Sequence, residues 1–260
     1  LWYGDPGPSS MINRHEAAGA PLSTNGRMFI QGSESVMCYD AYNGNFLWEH
    51  ANPGAQRTGV FNNRETHNLA ASQDSVFVAV EDQCTELDGA TGEVVAEYKT
   101  PESEDGIDRA WAYIAYDQNQ LFGTSTIRKE LEERLRRRGL TVTSQTDAIY
   151  VFDTKSQELS WVYRGKNILH TTIAIGPDHV YFIDSSITPE QRQALYKRDK
   201  EELKTLEGEA AEKAEAEMKA LDVRLAVALD RKTGKKIWER PVNVTDTTNV
   251  SAGGGSLTVM

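Results

Sequence analysis

Arginine, histidine and asparagine recur in clusters along this 260-residue chain, and their chemistry is that of anion recognition. Asn13, Arg14 and His15 form a first cluster, Arg57, Arg64, His67 and Asn68 a second, and Arg109 with Trp111 a third. His170 with Thr171 and Asn249 with Ser251 complete the series. Guanidinium groups bind carboxylates and phosphates through paired donors, imidazoles add a further donor, and an indole offers a flat stacking surface. If the fold gathers these clusters, the residues Arg14, His15, Arg57, Arg64, His67, Asn68, Arg109, Trp111 and His170 line a site for a small anionic ligand. Otherwise they hydrogen-bond neighbouring elements and ordered water.

Nothing else in the sequence assembles into a catalytic set. Gly-rich phosphate loops, nucleophile elbows and paired metal-binding histidines are all missing, so no catalytic residue and no metal ligand is assigned. The acidic stretch Glu102, Glu104, Asp105 and Asp108 lacks the alternating ligands and turn glycine of a calcium loop and reads as solvated surface. Cys38 and Cys84 lie in apolar, strand-like contexts and read as buried thiols. The formal charge of −11 argues against nucleic acid as a partner, because phosphate binding rests on clustered Lys and Arg. No apolar run approaches the roughly 20 residues of a membrane-spanning helix, and the N-terminus has no signal-peptide layout.

The elements that must position the clusters come from an internal repeat. Four segments superpose, Tyr39–Trp48, Leu87–Ala96, Phe152–Trp161 and Leu229–Trp238. Each reads as an apolar or aromatic residue, Asp, three residues, usually Gly, three residues, usually Trp. The conserved spacing sets Asp40, Gly44 and Trp48 in the first copy, Asp88 and Gly92 in the second, Asp153 and Trp161 in the third, and Asp230, Gly234 and Trp238 in the fourth. An Asp ending a strand accepts hydrogen bonds from the turn backbone, and a Gly four residues on takes the positive φ that the turn needs. Gln157 in place of that Gly predicts a strained or differently shaped turn, and Ala96 in place of Trp a weaker contact. Upstream of each copy lie two further short alternating strands, so each unit holds four antiparallel strands, the content of a propeller blade.

The repeat Asp residues stand 48, 65 and 77 positions apart. Blades of this kind have periods of about 40–50 residues, so two units carry insertions. Helical stretches over 128–145 and 188–222 account for the excess. Arg128–Arg138 forms one helix ended by Gly139, and the longer insertion turns at Gly208 between two helices. It opens on Thr188-Pro189-Glu190-Gln191, a capping box. Both insertions fall between the second and third strands and leave one face of adjacent blades, where they either pack on themselves or dock a partner.

The string Ala228–Trp238, with Asp40–Trp48 as a second good match, resembles the tryptophan-docking repeat of the pyrroloquinoline-quinone-like (PQQ-like) β-propeller family. The fold expected is all-β, a partial propeller with four complete blades over about 17–52, 66–100, 109–165 and 170–241, the edge of a preceding blade, and the start of another over 245–260. The remaining blades would come from the rest of the same polypeptide. The resemblance implies a bacterial, periplasmic or otherwise extracytoplasmic protein, because the family includes outer-membrane assembly lipoproteins as well as quinoprotein dehydrogenases. The quinone enzymes resemble one another in a ring of adjacent cysteines against the cofactor, a calcium held by Glu and Asn, and a catalytic Asp. Cys38 and Cys84 cannot form such a ring. The reading is therefore a non-catalytic scaffold that binds a protein partner or a small anionic ligand, with no cofactor expected. The alternative is a segment of a PQQ-dependent oxidoreductase whose PQQ and calcium site is completed by other blades.

Overall fold

The computed structural model describes residues 20–32, 34–54, 68–127, 137, 146–188, 191, 208–210, 213 and 223–242. The chain divides into two compact units, 1–144 with 149–162 and 145–148 with 163–260.

In the first unit β1 (Leu22–Thr24), β2 (Arg27–Gln31), β3 (Ser35–Asp40) and β4 (Phe46–Ala51) form one antiparallel sheet in chain order. A second follows with β5 (Leu69–Ala71), β6 (Ser75–Val80), β7 (Gln83–Asp88) and β8 (Val94–Lys99). β9 (Arg109–Asp117), β10 (Gln120–Ile127) and β11 (Thr146–Asp153) continue the pattern. β12 runs unbroken over Glu158–Ile175 and carries the chain from the first unit into the second. The repeat predicted two separate strands over that stretch, one ending a unit and one opening the next. In the second unit the later part of β12 meets β13 (His179–Ser185), β14 (Arg224–Asp230) and β15 (Lys236–Val242) in the same antiparallel order.

The repeat Asp residues work as their spacing demands. Asp40 Oδ1 accepts the amides of Tyr42 and Asn43 at 2.8 and 3.1 Å, and Asp88, Asp153 and Asp230 accept the equivalent pairs. The fifth residue of each turn donates its N–H back to the Asp carbonyl. Gly44, Gly92 and Gly234 hold φ values of 75°, 76° and 67° there. Gln157 stands at φ 62°, so the third turn keeps the shape of the others and carries its strain in a residue with a Cβ. The residue after each Asp, namely Ala41, Gly89, Thr154 and Arg231, donates its N–H to the preceding hairpin turn at Gly26, Asp74, Asn119 and Asp178. This second, non-local bond fastens two hairpins of each unit side by side.

Trp48 joins its sheet to the next, whereas Trp238, expected to pack on a neighbouring unit, is 38% exposed. The Trp48 ring lies against Gly92, where an added Cβ would come within 2.7 Å of two ring atoms, and its Nε1–H donates to the Gly89 carbonyl at 3.1 Å. Around it Phe29, Val36, Cys38, Leu69, Val76, Val78 and Leu87 close a buried cluster between the first two sheets. Ala96 stands where the second copy would carry its tryptophan, but the contact is not weakened as its size suggests. Tyr98, two residues on and therefore on the same strand face, is buried and packs on Phe152 at 5.2 Å, while Trp111, Tyr150 and Phe77 complete that core. Glu86 is buried beside it and accepts the hydroxyls of Tyr98 at 2.6 Å and Ser75 at 2.7 Å.

The insertions expected over 128–145 and 188–222 lie mostly outside the described residues. Arg137, Gln191, Glu209, Ala210 and Lys213 within them are helical. Thr188 N–H donates to Gln191 Oε1 at 2.9 Å and Gln191 N–H to Thr188 Oγ1 at 3.2 Å, a reciprocal cap.

Candidate functional site

Of the nine candidate ligand-binding residues, Arg14, His15, Arg57, Arg64 and His67 lie outside the described residues. The four described members are engaged in holding the fold. Asn68, just before β5, is buried and spans two sheets, donating from Nδ2 to Gln31 Oε1 at 3.0 Å and to the Ala79 carbonyl at 3.4 Å. Arg109 opens β9, is buried, and pairs with Asp105 at 2.8 Å. Partial burial pushes the Asp105 carboxyl up, but the Ile107 N–H, the Ser103 hydroxyl and the Arg109 guanidinium together hold it below its ordinary value.

Trp111 departs from its expected role as a stacking platform. β9 begins two residues before it, so its side chain enters the sheet core rather than a loop. It is 1% exposed, edge-on to Tyr150 at 5.0 Å and near Phe152 at 6.1 Å, with Gly123 leaving the space its ring fills. His170 likewise brings no positive charge at neutral pH. In the second unit it is buried against Thr146, Nδ1 to Oγ1 at 3.0 Å, and burial lowers its pKa to about 4. A buried neutral imidazole is a poor anion ligand.

Two hydroxyls outside that series meet breaks in the sheet. Where the ladder between β9 and β10 shifts register, between Gly123 and Ser125, the Thr124 hydroxyl accepts the Tyr113 N–H at 3.0 Å. Where β12 and β13 shift, between Leu169 and Ala174, the Thr172 hydroxyl accepts the Ile183 N–H at 2.9 Å. A buried amide without a ladder partner costs more than a hydroxyl placed to receive it. The hydroxyls of Thr124 and Thr172 therefore repair the sheet.

An open cleft lies elsewhere among the described residues of the first unit. A cleft of about 320 Å³ is bordered by Asp82, Lys99 and the loop from Thr100 to Arg109. Its walls carry Asp82, Glu102 and Asp108 against Lys99 and Arg109, so charges of both signs meet there. Glu102, Glu104, Asp105 and Asp108 are exposed, in keeping with their reading as solvated surface, and their loop also forms one wall of the cleft, cross-braced by Ser103 Oγ donating to the Ile107 carbonyl at 2.6 Å.

A second recurring surface is apolar. The outer strands β4, β8 and β15 each carry one unpaired extra residue, immediately before the repeat Trp or Ala96. These bulged residues are Leu47, Val95 and Ile237, exposed by 46%, 49% and 49%. Phe46 and Val94 beside them are also exposed. A bulge leaves its extra residue outside the ladder and bends the strand, which also blunts an edge against strand addition. Large aliphatic side chains at three equivalent bulges form a repeated outward feature that edge protection by itself does not require.

Cys38 and Cys84 are both buried, on different sheets, and burial raises the Cys38 thiol to about 11 and the Cys84 thiol well above its ordinary value. Among the described residues no group of three or more His, Cys, Asp or Glu is placed to hold a metal ion. No helix among them is long and apolar enough to cross a membrane.

Comparison with solved structures shows the propeller fold. The quinohemoprotein alcohol dehydrogenase of Comamonas testosteroni matches with a TM-score of 0.56 and 15% identity, over 86% of this chain and 35% of that one. The enzyme ADHIIG of Pseudomonas putida HK5 matches with a TM-score of 0.52 and 12% identity, over 85% of this chain and 33% of that one. BamB of Moraxella catarrhalis is 16% identical, with a TM-score of 0.45, over 85% of this chain and 50% of that one. The chain thus spans half of the Moraxella protein and about a third of each dehydrogenase. No curated protein sequence matches the chain. The family model described as outer membrane protein assembly factor BamB matches residues 11–206. The chain belongs to the BamB-like PQQ repeat family.

Proposed function

We propose that this chain is a non-catalytic, four-bladed propeller segment that binds a protein partner through the outer wall of its blades, in the cell envelope. The observation that carries this reading is the recurrence of exposed aliphatic residues, Leu47, Val95 and Ile237, at equivalent bulges of three outer strands. Apolar side chains exposed at repeated positions favour a protein surface as partner. The formal charge of −11 disfavours an anionic lipid surface. The described members of the anion-site series support the same reading, because Asn68, Arg109 and His170 are committed to internal bonds and Trp111 to the core. Membership of the BamB-like family supports the envelope location.

The test places a photo-crosslinking residue at Leu47, Val95 or Ile237 in the source cells, with the exposed Glu97 as control. One shared protein adduct at the bulge positions, absent from the control, is the expected result. Adducts equally strong at Glu97, or none at the bulges, would remove the proposal. A parallel titration with PQQ and calcium should give no tight coloured complex; one that forms and turns over alcohols would replace the scaffold by an oxidoreductase.

A further inference from the structure

Asn167 is fully buried in the second unit, and among the described residues neither atom of its side-chain amide has a hydrogen-bond partner. Either orientation of the amide leaves both ends open. Leaving both ends unmet costs far more than the chain needs to spend, and a simple apolar side chain would avoid it.

The surroundings decide what meets them. The Asp184 carboxylate, also buried, takes the main-chain amides of Lys166, Asn167 and Ser185 at 3.1, 2.8 and 2.7 Å on Oδ1. Its Oδ2 is roofed by Gly165, where a Cβ would come within 2.6 Å. A cation would compete for those oxygens with the three amides on Oδ1 and with the Lys166 N–H, which also reaches Oδ2 at 3.3 Å. An anion would satisfy the amide nitrogen and leave its oxygen facing negative charge. Only a group that both donates and accepts suits the two ends. Asp184 Oδ1 takes the amides of both Asn167 and Ser185, so these two residues lie side by side, and Ser185 pairs with Arg224. An amide, a hydroxyl and a guanidinium therefore come from neighbouring residues, within the two to four polar partners a trapped water requires.

We propose that Asn167 is the anchor of a buried water site at the root of the long insertion. The position gives the site a task. One residue beyond Ser185 the chain leaves for that insertion, and Ser186 and Val223 clasp its neck, with Ser186 N–H on the Val223 carbonyl at 2.9 Å and Val223 N–H on Ser186 Oγ at 3.0 Å. Lys166 Nζ adds a bond to the Ser186 carbonyl at 2.6 Å. Water bonded to Asn167 would brace Ser185 and Arg224 on either side of that neck.

A high-resolution crystal structure of the chain tests the site directly: ordered solvent within hydrogen-bonding distance of both amide atoms is expected. An ion there, a protein group bonded to the amide, or no density would overturn the proposal. Asn167→Leu tests the energetics independently. With water bonded, removing the amide lowers Tm by several degrees and speeds amide exchange at Ser186 and Val223, while Asn167→Ser keeps part of both. A Tm that rises in Asn167→Leu would show that the amide was simply unmet, and the proposal would fall.

Discussion

Gly92 meets two separate demands, and adding one methyl group to it should cost more than either alone. Its φ of 76° belongs to the left-handed region, where a Cβ costs about 1 kcal/mol. That methyl would also lie 2.7 Å from two atoms of the Trp48 ring, so the ring must leave its seat and its bond to Gly89. Losing a docked, buried Trp is worth roughly 3 kcal/mol at the low end of the range for such residues, so Gly92→Ala should destabilise by about 3–4 kcal/mol. Gly106 is the internal control, with φ 66° and open space around its Cβ position. Gly106→Ala should cost about 1 kcal/mol. Urea unfolding followed by far-UV circular dichroism gives both values. The double variant Gly92→Ala with Trp48→Ala should be distinctly less than additive, because the steric part vanishes with the ring. Equal costs at Gly92 and Gly106, or strict additivity in the double variant, would refute the docking account.

Other outcomes follow from the same structure. Gln157→Gly relieves the one non-glycine repeat turn and should raise stability by about 1 kcal/mol, read as a higher urea midpoint; an unchanged or lower midpoint would show the turn unstrained. Burial depresses the folded-state pKa of His170 to about 4, against 6.5 for its ordinary value, so the unfolded chain takes up the proton first as pH falls. Stability should be intact above about pH 6.5 and decline by roughly 3 kcal/mol towards pH 4, and His170→Gln should remove that slope. Replacing residues 187–222 by Asn-Gly should leave unfolding cooperative, because the Ser186–Val223 pair is already spaced for a two-residue hairpin; a broad transition would place the insertion in the core.

The sequence by itself determined the repeat. Asp, Gly and Trp at fixed spacing encode a local turn, and a turn's bonds run between residues two to four apart, so Asp40, Asp88, Asp153 and Asp230 were legible without a partner in view. What lay across sheets was not legible. Whether Ala96 weakens its interface depended on Tyr98 reaching Phe152, and Trp111 became core because β9 begins at Arg109. The Arg, His and Asn series showed polar groups returning at one place in the repeat, but tertiary structure decided what they do there. Their partners, Gln31 for Asn68 and Thr146 for His170, come from 37 and 24 residues away. Likewise Thr124 and Thr172 repair breaks in a ladder whose register no single strand records. Spacing fixes bonds made within a turn, whereas burial and register arise only when distant strands meet, and they divide residues that hold the fold from surfaces left for a partner.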